Sequence, residues 1–324
     1  MPSARVVFIE GEEPRMLRAA VSLAQARSCR PILIGRPSAI RTAAGRAGLD
    51  VSGIESLDPH DAALRGRLVD DFQSHSGQAV SDVPHDRASY GAMLVRAGWA
   101  EAAIGGADVS SADMLRAGLR FIGRSEDRTT VSGAILLDTQ RPEVGSAGTL
   151  AFADAVVTPL PDIDQLVDIA AATAQTWRSL MRTEPRIAFL SFSTKGSSKS
   201  SFADKARRAA DLFQQRFPGD VADGELQFDA AVSRSVAGRK SAAGPVAGSA
   251  NVFVFPNLDA ANIAYKVAEQ VGGARARAVL QGLALPFADV SRGCSVDDIV
   301  TTVRMLLCTS LQRQTAAAQH SLEA

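Results

Sequence analysis

The sequence predicts an α/β fold with a mainly parallel sheet, arranged as two domains with a cleft between them. Short apolar runs of strand length alternate with amphipathic stretches of helix length along the chain. This alternation favours layered β and α units over an all-helical or all-strand protein. The 324 residues are enough for one large domain or two modest ones, each with its own core.

Composition excludes several classes of protein. Lys plus Arg and Asp plus Glu each number 35, so the basic excess of a general nucleic-acid binder is absent. No apolar run reaches the roughly 18 residues of a membrane span, and the N-terminus has no apolar signal-peptide segment. The three cysteines, Cys29, Cys294 and Cys308, argue against a disulfide framework and fit a reducing cytoplasm.

Apolar runs and helix signals define the predicted elements in order. Strands are predicted at residues 6–9, 31–34, 102–104 and 131–137 in the first part of the chain, and at 186–192 and 252–255 in the second. Helices are predicted at residues 14–26, 111–121, 163–181 and from 295 to at least 311, and Pro37 suits the first turn of another. Residues 234–248, rich in Gly, Ala and Ser, are predicted to form a loop.

The segment from Ser291 to Asp298 is the most informative motif. Ser291, Arg292 and Gly293 precede a predicted helix, where free N–H groups and the helix dipole attract anions. The planar fork of Arg292 suits phosphate oxygens or a developing oxyanion. Asp298 falls in the first helical turn and either faces the same point or, as the last residue of Ser295-x-x-Asp298, forms a capping box.

Three further segments place polar side chains after predicted strands. Ser110, Ser111 and Arg116 follow a Gly105-Gly106 turn and either hold a small phosphate or form an ordinary Ser cap with a surface arginine. Residues 191–197, with Lys195, either cradle a phosphate or form a solvated loop. Asn257 and Asp259 either bind a ligand at a strand end or cap the next helix. None of these segments has the order of a P-loop or a dinucleotide fingerprint.

The order of these motifs resembles the phosphate acetyltransferases of the phosphate acetyl/butyryltransferase family. The resemblance covers roughly residues 5 to 310. SRGCSVDDIV at 291–300 and PNLDAANIAYK at 256–266 are its most specific stretches. The remaining similar stretches are FIEGEEPRMLRAA (8–20), PILIGRP (31–37), LSFSTKGS (190–197) and DGELQFDAAV (223–232).

The resemblance implies two three-layer α/β domains, similar to isocitrate and isopropylmalate dehydrogenases, with an active site in the interdomain cleft. The first domain would comprise residues 1–130 and 280–324, and the second would comprise residues 131–279. The implied reaction is acetyl-CoA plus phosphate giving acetyl phosphate plus coenzyme A, with no cofactor and no metal. The implied assembly is a cytoplasmic homodimer whose partners are these small substrates.

The resemblance also implies residue roles. Asp298 would accept the proton of the coenzyme A thiol, because the thiolate is the nucleophile. Arg292 would orient Asp298 and the substrate phosphate, and Ser291 would donate to the carbonyl oxygen. Arg116 would bind the phosphoryl group. Where members of the family carry an Ala-Arg-Glu stretch, residues 78–83 of this chain contain no arginine. We predict that Arg87 replaces the lost positive charge; the alternative is that Arg87 is a surface residue.

Proteins with three other functions have sequences similar to this one. A phosphate butyryltransferase or propionyltransferase would differ only in the acyl pocket, which the sequence does not reveal. A non-catalytic acetyl-CoA-sensing domain, as attached to some malic enzymes, would not need Ser291, Arg292 and Asp298. A decarboxylating dehydrogenase would need a divalent metal and NAD or NADP.

Overall fold

The computed structural model describes residues 4–240 and 244–323, with side chains described up to residue 309. The chain folds into two compact units. Unit 1 contains the described residues up to Ser125 and those from Leu283 onward, and unit 2 runs from Glu126 to Gly282. The division falls after Ser125, where residue 130 was predicted, and after Gly282, where residue 279 was predicted. The second difference arises because β10 (Arg275–Gln281) pairs within the sheet of unit 2 over its whole length.

The described part of the chain contains eleven strands and eleven α-helices. The strands are β1 Arg5–Phe8, β2 Arg30–Ile34, β3 Glu55–Leu57, β4 Ala102–Gly105, β5 Ser132–Asp138, β6 Thr149–Ala153, β7 Arg186–Leu190, β8 Val221–Leu226, β9 Val252–Val254, β10 Arg275–Gln281 and β11 Phe287–Asp289. The helices are α1 Pro14–Gln25, α2 Pro37–Arg46, α3 Ala62–Ser76, α4 Arg87–Arg96, α5 Ser111–Ala117, α6 Ile163–Met181, α7 Ser201–Arg216, α8 Phe228–Val232, α9 Arg234–Arg239, α10 Leu258–Gln270 and α11 Val296–Glu323.

Unit 1 is built on a parallel five-stranded sheet with the order β11-β4-β1-β2-β3. Alternate residues of β1 point to opposite faces, as strand geometry requires. Val6 and Phe8 lie in a core shared with α1, α2 and α11. On the other face α4 packs so closely that a Cβ on Gly91 would stand 2.7 Å from Ile9 Cγ1. The sheet is therefore covered by helices on both sides.

Unit 2 is built on a six-stranded sheet with the order β10-β5-β6-β9-β7-β8. Strands β6, β9, β7 and β8 are parallel, whereas β5 is antiparallel to both β6 and β10. Phe152 and Phe253 anchor a core that includes α8, α9 and α10. Helices α6 and α7 pack against the sheet as well. The predicted α/β fold with mainly parallel sheets is confirmed.

Several predicted elements agree closely with the structure, and one prediction is wrong. The helix predicted at residues 163–181 is α6, and the helix predicted at 111–121 is α5 followed by a π-helical turn at Gly118–Ile122. The loop predicted at 234–248 is wrong over its first part, where α9 spans Arg234–Arg239. Burial of Ala237 in the unit 2 core stabilises this short helix. Residues 241–243 lie outside the described part of the chain.

Candidate active site

The candidate site in unit 1 lies where the parallel strands end. Because every pairing in this sheet is parallel, the loops that follow its strands leave at one edge. Residues 290–295 follow β11, residues 106–110 follow β4, and residues 9–13 follow β1. In α/β proteins this carboxyl edge is where ligands bind. The topology therefore brings together segments that are far apart in sequence.

The predicted catalytic segment connects β11 to α11. Ser291 and Arg292 are exposed, and the Ser291 carbonyl accepts a hydrogen bond of 2.9 Å from the Cys294 N–H. Val290 is fastened to the neighbouring strand by its N–H, which donates to the Gly105 carbonyl at 2.8 Å. The segment is thus a short turn held at its base, with two polar side chains presented to solvent.

Asp298 takes part in the capping box that its spacing predicts. Its N–H donates to Ser295 Oγ at 3.2 Å, and its Oδ2 accepts from Ser295 N at 3.0 Å and from Ser295 Oγ at 2.7 Å. The two residues therefore satisfy each other's polar groups at the start of α11. Asp298 is half-buried. Its proposed role as a base remains a prediction.

Sequence reasoning missed Arg15, which joins two of the loops. Arg15 Nη1 donates to the carbonyls of Arg292 at 2.6 Å and Cys294 at 3.0 Å, and Nη2 donates to the Ala107 carbonyl at 3.0 Å. Its Nε donates to Glu13 at 2.7 Å, and this partner raises the pKa of the guanidinium. Arg15 thus fixes the backbone of the Ser291–Arg292 segment. The sequence feature that could have identified Arg15 is its position inside FIEGEEPRMLRAA, one of the stretches that resemble the family.

Sequence reasoning also missed Glu10, which is 2% exposed. Its Oε1 accepts from the backbone N–H groups of Gly106 at 3.1 Å, Asp108 at 2.8 Å and Val109 at 2.7 Å. Its Oε2 accepts from Ala107 N at 3.3 Å. Four successive N–H groups of this kind form an anion-binding concavity. Because Glu10 already fills it, these backbone groups do not form a phosphate cradle.

The start of α5 shows the capping arrangement that the sequence left open. Ser110 is the N-cap: its Oγ accepts from Asp113 N at 3.2 Å and donates to Asp113 Oδ2 at 2.6 Å. Arg116 pairs with Asp113 Oδ1 at 2.7 Å and keeps 71% of its side chain exposed. Donation from Ser110 and Arg116 lowers the pKa of the Asp113 carboxyl, and the positive charge of Arg292 lowers it further. Arg292 is therefore close enough to α5 for its charge to act on the Asp113 carboxyl.

Arg87 lies elsewhere on the same sheet edge. It pairs with Glu12 at 3.2 Å, after β1. Arg87, Glu12, Arg36 and His60 line a cavity of about 270 Å³ together with Gly35, Ala39 and Pro59. This cavity adjoins the ends of β2 and β3. The Ser291–Arg292 segment follows β11, which is the outermost strand at the other end of the strand order. Arg87 is thus paired with Glu12 at this cavity, and its predicted extension over Ser291 and Arg292 stays a prediction.

The candidate residues of unit 2 are held by their own neighbours. Lys195 forms an ion pair with Asp223. The adjacent loop is tied to buried Glu225, which accepts from Ser193 Oγ at 2.8 Å and Gly196 N at 2.7 Å. The segment 191–197 is therefore neither an open cradle nor a freely solvated loop.

The other two candidates of unit 2 lie at the start of α10. Asn257 is the N-cap, with its Oδ1 accepting from Ala260 N at 2.9 Å. Asp259 is exposed in the first turn of the same helix. The capping arrangement that the sequence left open is therefore present at Asn257, while Asp259 remains available to solvent.

Comparison with known proteins identifies the chain's relatives. Residues 2–307 match the family model described as "Phosphate acetyl/butaryl transferase". The chain therefore belongs to the phosphate acetyl/butyryl transferase family. A phosphate acetyltransferase of Thermoanaerobacterium thermosaccharolyticum is 36% identical over 306 residues, covering 92% of this chain and 93% of that protein. The predicted family and acyltransferase class are confirmed.

Solved structures agree with this assignment. The EutD phosphotransacetylase from Staphylococcus aureus is 34% identical, with a TM-score of 0.84 over 95% of this chain and 94% of that one. A 4-hydroxythreonine-4-phosphate dehydrogenase from Klebsiella pneumoniae aligns with a TM-score of 0.54 at 10% identity, over 95% of this chain and 99% of that one. The second likeness concerns the fold alone and supports the dehydrogenase-like architecture of this family member.

No set of three or more His, Cys, Asp and Glu side chains in the described part of the chain is arranged to hold a metal ion. None of the described helices combines the length and the apolar character required to cross a membrane.

Removing the charge of Glu10 tests its role in this transferase. We expect Glu10→Gln to lower the free energy of unfolding by about 1.5–3 kcal/mol, because charge-assisted hydrogen bonds are lost and one amide hydrogen faces a backbone donor. Acyl-transfer activity should fall as well, since residues 106–110 lose their anchor. Denaturant unfolding and turnover measure the two effects. Exposed Glu143→Gln is the control, and equal stability of the two variants would contradict the role of Glu10.

Proposed function

We propose that this member of the family transfers an acetyl group reversibly between coenzyme A and inorganic phosphate. Acetyl-CoA and phosphate give acetyl phosphate and coenzyme A. The observation that carries the proposal is 36% identity to a phosphate acetyltransferase along 92% of the chain. The exposed Ser291 and Arg292 at the sheet edge supply groups suited to this chemistry.

The proposed mechanism is direct attack of the coenzyme A thiolate on the carbonyl carbon of acetyl phosphate. The sulfur–carbon bond forms, the carbon–oxygen bond to phosphate breaks, and phosphate leaves with the electron pair. Asp298 takes the thiol proton and releases it to solvent or to the departing phosphate. Ser291 donates to the carbonyl oxygen as its negative charge grows, and Arg292 binds phosphate oxygens. Acid–base catalysis by a positioned side chain increases the rate about 10²–10⁴-fold.

The state of Cys294 supports attack without a covalent enzyme intermediate. This residue is buried beside the Ser291–Arg292 segment, and burial raises the pKa of its thiol to about 11. A thiol with that pKa stays protonated at neutral pH, and the thiolate is the form that attacks. Cys294 is therefore a poor acyl acceptor, and neither a metal nor another cofactor takes part in the proposed steps.

Substrate binding is proposed for both units. In unit 1, Arg116, Ser110 and Ser111 would bind the phosphoryl group. The cavity beside Arg36 and Arg87 would take a phosphate of coenzyme A, because Glu12 neutralises only one of these two arginines. Lys195, Asn257 and Asp259 are the proposed contacts from unit 2. The acyl group could also be propionyl or butyryl, since the matched family model names both acetyl and butyryl transfer.

The proposed assembly is a cytoplasmic homodimer. Ile263 and Val267 of α10 and Val271, which caps the end of that helix, follow one another at intervals of four residues. They are 61%, 53% and 83% exposed. Such an apolar stripe suits a second copy of the same face, as in a two-fold interface. Light scattering tests the assembly. A reducing compartment is supported by Cys29, Cys294 and Cys308, which are all free thiols.

The first test is turnover itself. Purified protein treated with EDTA should form acetyl-CoA from acetyl phosphate and coenzyme A, followed as thioester absorbance. Propionyl and butyryl phosphate in parallel assays rank the acyl groups, where each methylene is worth about 1–3 kcal/mol. Absence of turnover with all three would favour the acetyl-CoA-sensing alternative. Reduction of NAD or NADP with a divalent metal would favour a dehydrogenase.

Asp298→Asn separates catalysis from capping. The amide oxygen of Asn can still accept from the Ser295 N–H in the capping box, so the melting temperature should stay close to that of the wild type. The amide cannot accept the thiol proton, so kcat should fall at least about tenfold. A variant with unchanged Tm and unchanged kcat would leave Asp298 as a cap alone.

Arg116→Ala tests phosphate binding. Loss of a charge-assisted hydrogen bond of about 1.5–3 kcal/mol should raise KM for acetyl phosphate roughly 10–150-fold, with a much smaller effect on KM for coenzyme A. Arg207→Ala is a matched control because Arg207 also pairs with an aspartate three residues earlier, at the same 2.7 Å. Equal changes in both KM values would place Arg116 outside the phosphate site.

A further inference from the structure

A carboxylate that the proposed mechanism does not use lies directly before the Ser291–Arg292 segment. Asp289 is the last residue of β11 and pairs with Gly105 of β4 in the parallel ladder. Its Oδ1 atom is buried and has no hydrogen-bond partner within the described residues. Burying a charged group without full compensation is costly. Two residues before Ser291 there is therefore a buried carboxylate with one oxygen atom that no hydrogen bond satisfies.

The backbone is shaped to admit this carboxylate. A Cβ on Gly106 would stand 2.1 Å from Asp289 Oδ1 and 2.5 Å from the Val290 carbonyl oxygen. Gly106 also has φ +105°, a conformation that residues with a side chain rarely adopt. Only glycine allows the loop after β4 to pass so close to the end of β11. The position of the Asp289 side chain is thus determined by the approach of two loops.

Charged and polar groups of three other segments face Asp289. The Ser111 hydroxyl, at the start of α5, donates a hydrogen bond to its carboxylate. Arg292, on the following turn, attracts the carboxylate, and Glu10, after β1, repels it. Burial is the largest influence and raises the pKa of the Asp289 carboxyl to about 6. The carboxylate is therefore charged at neutral pH and becomes protonated in mildly acidic solution.

We propose that Asp289 is a positioning residue of the acyl-transfer reaction, which holds the Ser111 hydroxyl and the Arg292 guanidinium at one point of the sheet edge. Ser111 is the first residue of α5, which follows the loop after β4, and Arg292 lies in the loop after β11. A carboxylate that accepts from Ser111 and attracts Arg292 orients both groups before substrate binds. Orientation of this kind is a large part of enzymatic rate. The inference rests on the proposed function, because Arg292 and Ser111 are assigned to the phosphate site there.

The charge of Asp289 should favour activity at the expense of stability. In the unfolded chain an aspartate releases its proton near pH 3.9, whereas in the folded protein Asp289 keeps it up to about pH 6. The unfolded state binds fewer protons between these values, so stability falls as pH rises through them and remains lower above. Positioning by the charged form shows the opposite dependence: it is present above about pH 6 and lost below.

Asp289→Asn tests this opposition. The amide oxygen can still accept from Ser111, but the negative charge and its titration are gone. At pH 8 we expect the variant to melt at the wild-type temperature or higher, while kcat/KM for acetyl phosphate falls about tenfold, a loss of about 1.4 kcal/mol in transition-state binding. The acid limb of wild-type kcat near pH 6 should be absent from the variant. The substrates titrate in the same way with the wild type and with the variant, so their contribution cancels when the two pH profiles are divided.

The controls separate this inference from its alternatives. Asp211→Asn, on an exposed position of α7, should change neither Tm nor the pH profile. If Asp289 acts through Ser111, the Asp289→Asn/Ser111→Ala double variant should lose less activity than the two single losses combined. A parallel fall of Tm and kcat in Asp289→Asn, with the acid limb intact, would make Asp289 a structural residue only. Absence of wild-type turnover would instead overturn the proposed function.

Discussion

The geometry of the unit 1 site depends on two opposite charges that follow β1. Glu10 accepts the N–H groups of residues 106–109, and Arg15 donates to the carbonyls of Ala107, Arg292 and Cys294. Turns that leave a parallel sheet expose backbone groups, and groups of this kind cost free energy when they are buried without partners. Glu10 and Arg15 satisfy these groups and thereby hold the loops that follow β4 and β11 in place.

In the proposed function, this arrangement leaves the binding of phosphate to side chains. The backbone concavity after β4 is occupied by a carboxylate of the protein, so the cations for a substrate must come from side chains. Arg292 and Arg116 are both exposed at this edge, and each lies near an aspartate. A reversible transferase must release phosphate as well as bind it. Arginines partly neutralised by Asp113 and Asp289 meet that requirement better than an unopposed cluster of cations.

Two residues to which the proposed function assigns chemistry, Asp298 and Ser110, also stabilise helix starts. Asp298 completes the capping box of α11, and Ser110 caps α5. A cap makes a side chain rigid at low cost, because the helix start supplies the donors that fix it. A carboxylate held in this way is already oriented when a thiol arrives. Structural and catalytic interpretations of a capping residue are therefore compatible.

The sequence by itself determined the α/β class, the long α6 and the local capping pairs, because these follow from apolar periodicity and from contacts between residues three or four apart. Only the tertiary structure decided which loops meet. Arg15 reaches Arg292 across 277 residues, and Glu10 reaches Val109 across 99. Strands such as β3 and β11 have three residues each, too few for a period to be recognised. Their place in the sheet depends on long-range pairing.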